Sequence, residues 1–286
     1  MKKIVITGAS GFVGTSLTKM FTQEGYQVVA INRRDLQDVE KLTSLLNDAK
    51  AVINLAGANI INRWSEEYKK LLYSSRLDTT TALIKAIEKC EIKPELLVST
   101  SAVGIYQNDK EYTEENIKYN DDFLANLCKD WEKKAFEAQN FGVRTVVFRF
   151  GIVMGEGGAL AKMLLPFKLG VGGTIGDGHQ PFSFIHIQDL VEAYKFAFNN
   201  PLFGVYNLTA PVPTTNKGLT KALGKTLHRP TILPVPEFVL RLIFGEGAKV
   251  LTDGQSVVPK RLIDAGFEFE FQTIEETIED LSTTKE

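Results

Sequence analysis

The stretch TGASGFVG, residues 7–14, places glycines at Gly8, Gly11 and Gly14. A β-branched run, KIVIT at 3–7, leads into it, and a segment with helical apolar spacing, 12–25, leads out of it to Gly25. A glycine-rich turn between a strand and a helix constrains the fold more than any other feature of the chain. Gly8 permits the tight turn, Gly11 lets the backbone approach a pyrophosphate, and Gly14 lets the helix pack on the sheet. The helix N-terminus then offers free N–H groups and partial positive charge to phosphates. A dinucleotide is therefore expected to lodge against Thr7, Gly8, Ser10, Gly11, Phe12, Val13 and Gly14.

Strand-like and helix-like segments alternate after this turn. Strands are expected at 27–31, 51–57, 95–100 and 144–150, and helices at 38–47, 65–90 and about 120–140. Ser65, followed by Glu66 and Glu67, supplies capping and negative charge at the start of the long helix. Continuous apolar strands between helices predict an α/β fold, a Rossmann-type doubly wound parallel sheet. Residues 1–150 read as the cofactor domain, with a helix at 187–200 and a strand at 204–209 returning to it. The glycine-rich stretch from 151 begins a substrate or lid region that runs to 286. Its end, about 210–286, reads as a smaller, mostly helical domain bounded by Pro211, Pro213, Pro230, Pro234, Pro236 and Pro259.

The second strand ends on Asn32-Arg33-Arg34, where enzymes using NAD place an acid against the ribose hydroxyls. An acid would repel a 2′-phosphate, whereas guanidinium forks bind one, so NADP(H) is preferred over NAD(H). The plainer alternative is two solvated arginines, one of them paired with Asp35. The net charge of −2 gives no basic surface for nucleic acid. Two cysteines, Cys90 and Cys128, make no disulfide framework and no metal cluster. The apolar run in MKKIVITG is too short for a signal peptide, and no run approaches the roughly 20 apolar residues of a membrane span. The expectation is a cytoplasmic protein, monomer or homodimer, with a small-molecule substrate and no membrane, nucleic-acid or metal partner.

These motifs, with NLAG (54–57), STSAVGIY, DFLANLCKDWE, RFGIVMGEGGALAKMLLPFKLGVGG, FSFIHIQDL and GQSVVPKRLIDAGFEFEF, cover essentially the whole chain. Their combination resembles the atypical extended short-chain dehydrogenase/reductases of the YfcH-like epimerase family. The resemblance implies a cofactor domain under a C-terminal substrate lid. It places Leu55, Ala56, Gly57, Ser99 and Thr100 beside the cofactor, with Phe150 and Gly151 bordering the nicotinamide. It also places Gly155 to Gly158 in a movable flap.

In ordinary members a serine polarises the substrate, a tyrosine transfers the proton, and a lysine four residues later assists it. Ser101 matches the serine. With Glu132 as anchor, the tyrosine and lysine positions hold Leu124 and Cys128. The chain's one Tyr-x-x-x-Lys, Tyr106 to Lys110, reads as a chance match in a loop. Three alternatives stay open. Tyr106, Cys128 or His186 donates the proton; the reaction needs no protein acid; or the protein binds NADPH without turnover. Each candidate has a plainer reading: Tyr106 lines a pocket, Cys128 fills core, and His186 is a satisfied buried histidine. On the substrate side the resemblance points to Gln180 and Phe182, and to Arg76, which either reaches a substrate anion or is an exposed helical charge. Phe182 and Ser183 stand where sugar-nucleotide enzymes carry an arginine and an acid, which favours a more apolar or aromatic ligand over a sugar nucleotide. Lys260 and Arg261 offer an alternative phosphate site, or simply a solvated helix start.

Overall fold

The computed structural model describes residues 2–283. In chain order the elements are β1 (Lys3–Thr7), α1 (Phe12–Gln23), β2 (Gln27–Ile31), α2 (Val39–Leu46), β3 (Ala49–Asn54), α3 (Glu66–Lys89), β4 (Leu96–Ala102), β5 (Glu111–Tyr112), α4 (Phe123–Phe136) and β6 (Arg144–Phe150). The remainder comprises β7 (Ile152–Met154), α5 (Gly158–Lys168), β8 (Pro181–Phe182), β9 (Phe184–His186), α6 (Ile187–Asn199), β10 (Gly204–Leu208), β11 (Thr214–Thr215) and α7 (Asn216–Leu227). These are followed by α8 (Glu237–Phe244), α9 (Lys249–Thr252), β12 (Ser256–Val257), α10 (Lys260–Asp264) and α11 (Ile274–Thr283).

The main sheet is parallel throughout, in the order β10-β6-β4-β3-β1-β2. The chain leaves β1 for β2 on one side and returns for β3 on the other. Strand order therefore reverses between β1 and β3, and ligands of such sheets bind in the crevice that this reversal opens at the carboxyl ends. Alternation sends Ile4 and Ile6 into the core shared with Leu17, Phe21, Phe148 and Tyr194 of the α1 and α6 side. It sends Val5 into the opposite core with Leu42, Leu46, Leu83 and Ile87. Both faces are thus covered by helices, which a parallel sheet of apolar strands requires.

A third core gathers the elements after β6: Leu160 and Leu164 of α5, Phe182, Phe184, Leu219 and Leu223 of α7, and Ile278 of α11. One small pair stitches this region to the rest, β12 running parallel to β5, and within the region β7 runs parallel to β9. Among the described residues no helix is long and apolar enough to cross a membrane.

Candidate dinucleotide and substrate site

The β1–α1 turn is built around backbone too close for side chains. Gly8 has φ +71, and a Cβ there would lie 3.1 Å from the Leu55 carbonyl carbon. A Cβ on Gly14 would lie 2.2 Å from Gly8 O, so only glycine lets α1 start this close to the turn. Helices α2, α3, α4, α6 and α7 are each capped by a side chain, from Asp38, Ser65, Asp122, His186 and Thr215. α1 has no side-chain cap and no acid in its first turn. Its leading N–H groups are left for an anion. Thr7 Oγ1 donates to Asn54 Oδ1 at 2.9 Å and accepts from the N–H groups of Leu55 and Ala56. The crevice walls on β1 and β3 are thereby fixed to each other. Above the turn, the Phe12 ring packs beneath the glycine loop: a Cβ on Gly155 would lie 2.4 Å from it, and one on Gly157 2.7 Å.

At the end of β2, Asn32, Arg33 and Arg34 are exposed and line a shallow cavity. Asp35 does not pair with either arginine. It is buried, accepts from Asn32 N at 2.9 Å and pairs with Lys41 at 2.7 Å. Its hydrogen bond from Lys41 holds its carboxyl below the usual range. Neither guanidinium enters an ion pair among the described residues, so both charges remain free for a ligand.

Beneath the crevice runs a buried polar network that the sequence did not reveal. Ser101 Oγ donates to Glu132 Oε1 at 2.7 Å. Arg149, 1% exposed, clasps the same carboxylate with Nε and Nη2, both at 2.7 Å. It also donates to Tyr106 Oη at 2.7 Å and Tyr119 Oη at 3.0 Å. Burial opposes the Arg149 charge, yet Glu132 holds its pKa above the ordinary value. Tyr106 donates onward to Asn207 Oδ1 at 2.8 Å. Glu114 then accepts from Asn207 N and from Arg261 N. A second chain runs from Thr7 through Asn54 to Thr80, which also accepts from Trp131 Nε1 at 3.0 Å. Bidentate, fully satisfied pairing of this kind is what makes a buried charge tolerable.

This geometry corrects several expectations. Tyr106 is fully buried between Arg149 and Asn207, with burial pushing its phenol up to about 12. It joins the sheet to the C-terminal region and is not placed to pass a proton to a ligand. His186 is 2% exposed; its Nδ1 accepts from Gln188 N, its Nε2 faces Asp280 at 3.3 Å, and its ring lies against Phe271. It caps α6 and docks α11, and burial holds its pKa below the ordinary histidine value. Ser99 is fully buried and accepts from Asn54 Nδ2, so strand alternation turns it, like Ser101, into the core. Phe182 stacks on Phe184 in the lid core, and Gln180 donates to Ile175 O. The Phe182 ring therefore gives no reason to expect an aromatic ligand. Cys128 is buried, its thiol pushed up to about 11 by burial. Arg261 stacks on Tyr206 and donates to Val205 O and Phe203 O, and Lys260 pairs with Asp264 and Glu115.

The remaining positions lie around the crevice. Ser10 and Gly57 are exposed, while Val13, Leu55, Ala56, Thr100 and Phe150 are half-buried. Gly151 lets β6 pass beneath the lid, since a Cβ there would lie 2.8 Å from Ser183 O. Arg76 reaches from α3 to the same rim: Nη1 donates to Leu72 O and Nη2 to Ala58 O, each at 3.1 Å. Arg149 is the network residue that sequence reading passed over, and Glu132 entered that reading only as a helix anchor. A charged residue inside the apolar strand RTVVFRF and a glutamate on a helix with apolar spacing were the available signals.

A reversal-point crevice, an uncapped helix over a glycine turn and free arginines at the second strand define a dinucleotide-binding protein of Rossmann type. The chain belongs to the NAD dependent epimerase/dehydratase family, whose model matches residues 4–209, while a domain of unknown function (DUF1731) matches residues 235–281. Epimerase family protein SDR39U1 of Mus musculus is 40% identical, covering 98% of this chain and 99% of its own. Epimerase family protein YfhF of Bacillus subtilis is 37% identical, covering 95% of each. The crystal structure of human SDR39U1 (isoform 2) with NADPH superposes with a TM-score of 0.90 at 35% identity, over 98% of this chain and 99% of that one. UDP-glucose 4-epimerase of Thermotoga maritima, with UDP-glucose, shares the fold at a TM-score of 0.78 and 18% identity, over 98% and 97%.

Proposed function

We propose that the chain binds NADP(H) in preference to NAD(H) and acts on a small molecule as an oxidoreductase or epimerase. One observation carries the cofactor choice. Arg33 and Arg34 stand unpaired at the end of β2 while the neighbouring acid, Asp35, is consumed by Lys41 and Asn32 N. The NADPH in the human relative's structure supports the same choice. The turn suits a pyrophosphate because Gly8 and Gly14 hold it tight against β3 and α1, and the N-terminus of α1 carries no side-chain cap and no acid. When bound, the cofactor supplies hydride chemistry; the chain supplies position and charge. The α1 N-terminus takes the phosphates, and Phe12 under the glycine loop shields them. Ser101, 1% exposed at the end of β4 and bonded to Glu132 and through it to Arg149, orients a substrate oxygen only when its hydroxyl is released from Glu132.

A second reading, cofactor binding without turnover, is favoured by the fate of the proton-donor candidates. Leu124 carries no proton, Cys128 is a buried thiol, and Tyr106 and His186 are committed elsewhere. The two readings separate in one assay. The protein is mixed with NADPH and a panel of carbonyl compounds while nicotinamide absorbance is followed. Consumption with one compound supports the enzyme. Tight NADPH binding with no consumption across the panel supports the sensor reading, and tighter NADH than NADPH binding overturns the cofactor choice.

A further inference from the structure

Two buried or half-buried guanidiniums flank α4, and only one has a counter-ion. Arg149 is matched by Glu132 on the sheet side. Arg76, on the crevice side, has no carboxylate partner among the described residues. Its group lies over the Trp131 ring, 5.3 Å from the centroid, and against Gly57, where a Cβ would sit 2.9 Å from Cζ. Two of its N–H groups reach the carbonyls of Leu72 and Ala58, leaving part of a five-donor fork unused. Burial lowers its pKa, the sign of a charge stripped of water without a compensating anion. Its electrostatic neighbours are Tyr68 and Cys128, whose thiol burial pushes up to about 11. Cys128 in turn borders Ser101. The open cation therefore lies against Gly57 and over Trp131, across the Leu55–Gly57 loop from the glycine turn, whose helix N-terminus is the berth proposed above for the pyrophosphate.

We propose that Arg76 anchors an oxyanion of the substrate, a carboxylate, at the crevice between Gly57 and α4. This rests on the reading above that a small molecule is handled at this site, and it makes that molecule an anion. The planar fork suits bidentate capture, and Trp131 behind it fixes the plane. It also accounts for an arginine kept half-buried here at a desolvation cost that no protein carboxylate offsets.

Acetate serves as the probe, at constant ionic strength, with the Arg76 Nε–H resonance as readout, assigned by its loss in Arg76→Lys. In protein saturated with NADP+, acetate is expected to shift this resonance saturably. In a parallel titration read by bound-NADPH fluorescence, Arg76→Gln should weaken acetate about tenfold or more, the worth of a charged hydrogen bond, and Arg76→Lys should restore part of it. A resonance that moves with NADP+ alone and then ignores acetate assigns the anion to the cofactor and overturns the proposal. A resonance indifferent to both leaves Arg76 a clamp on the 57–58 loop and also overturns it. Failure of the cofactor reading looks different: the amides of Gly11 to Gly14 would not respond to NADP+.

Discussion

At the scale of single residues, the phosphate turn and the two arginines after β2 carry the sharpest expectations. Gly14→Ala drives a methyl to within 2.2 Å of Gly8 O and 2.7 Å of Ala9 Cα. Backbone must shift, at a cost of about 1–3 kcal/mol. Both the melting temperature and the affinity for NADPH should fall, in a thermal scan and a fluorescence titration. Arg33→Ala or Arg34→Ala removes a charged donor from an exposed site and leaves the fold untouched. NADPH binding should weaken roughly 10- to 100-fold, from the ~1.5–3 kcal/mol of a charged hydrogen bond, while NADH binding stays level. Because both groups are exposed, added salt should narrow the difference. Equal losses for the two cofactors would show that neither arginine reads the 2′-phosphate.

At the scale of elements, α4 and β6 are locked by Glu132 and Arg149. Arg149→Met strands a buried carboxylate and should cost about 3–5 kcal/mol, read as a lower urea midpoint. Adding Glu132→Leu removes the stranded charge, so the double variant should lose less than the sum of the singles. A second lock lies between α6 and the segment before α11. Asp189 accepts from the N–H groups of Glu270 at 2.8 Å and Phe271 at 3.0 Å. Burial nonetheless pushes its carboxyl up to about 6, against an ordinary value of 3.8. The folded state therefore holds this proton more tightly than the unfolded chain. The resulting stability is fully present below the unfolded pKa and is lost as pH rises through about 6. Unfolding free energies of the native chain minus those of Asp189→Asn should decline between pH 4 and pH 7, a window set by those two values. A flat or rising difference would refute the raised carboxyl.

At the scale of the whole molecule, the elements after β6 are tied to the main sheet through β12–β5 and the Glu114–Asn207 contact, so ligand binding at the crevice should stabilise the entire chain. NADPH at a hundredfold its dissociation constant should add about 2.7 kcal/mol. That corresponds to a melting temperature raised by roughly 5–10 °C, and NADH at the same concentration should raise it less. The turn, its strand and its helix were legible in TGASGFVG because each requirement there is local: glycines for φ and close approach, a β-branched run before, helical spacing after. The end of β2, with Arg33 and Arg34 exposed just beyond it, was legible for the same reason. The Ser101–Glu132–Arg149–Tyr106–Asn207 network was not, since its partners lie 17 to 101 residues apart in sequence and meet only when the sheet forms. Tyr106, His186 and Phe182 carry chemistry-bearing or ligand-facing side chains by type, and burial alone removed them from that role. What the amino-acid order determined by itself was therefore the fold and its glycine turn, because short-range sterics and periodicity encode them. Which polar groups face the ligand and which bond to one another was decided by tertiary packing, because desolvation forces every buried polar atom to find its partner wherever the fold brings one.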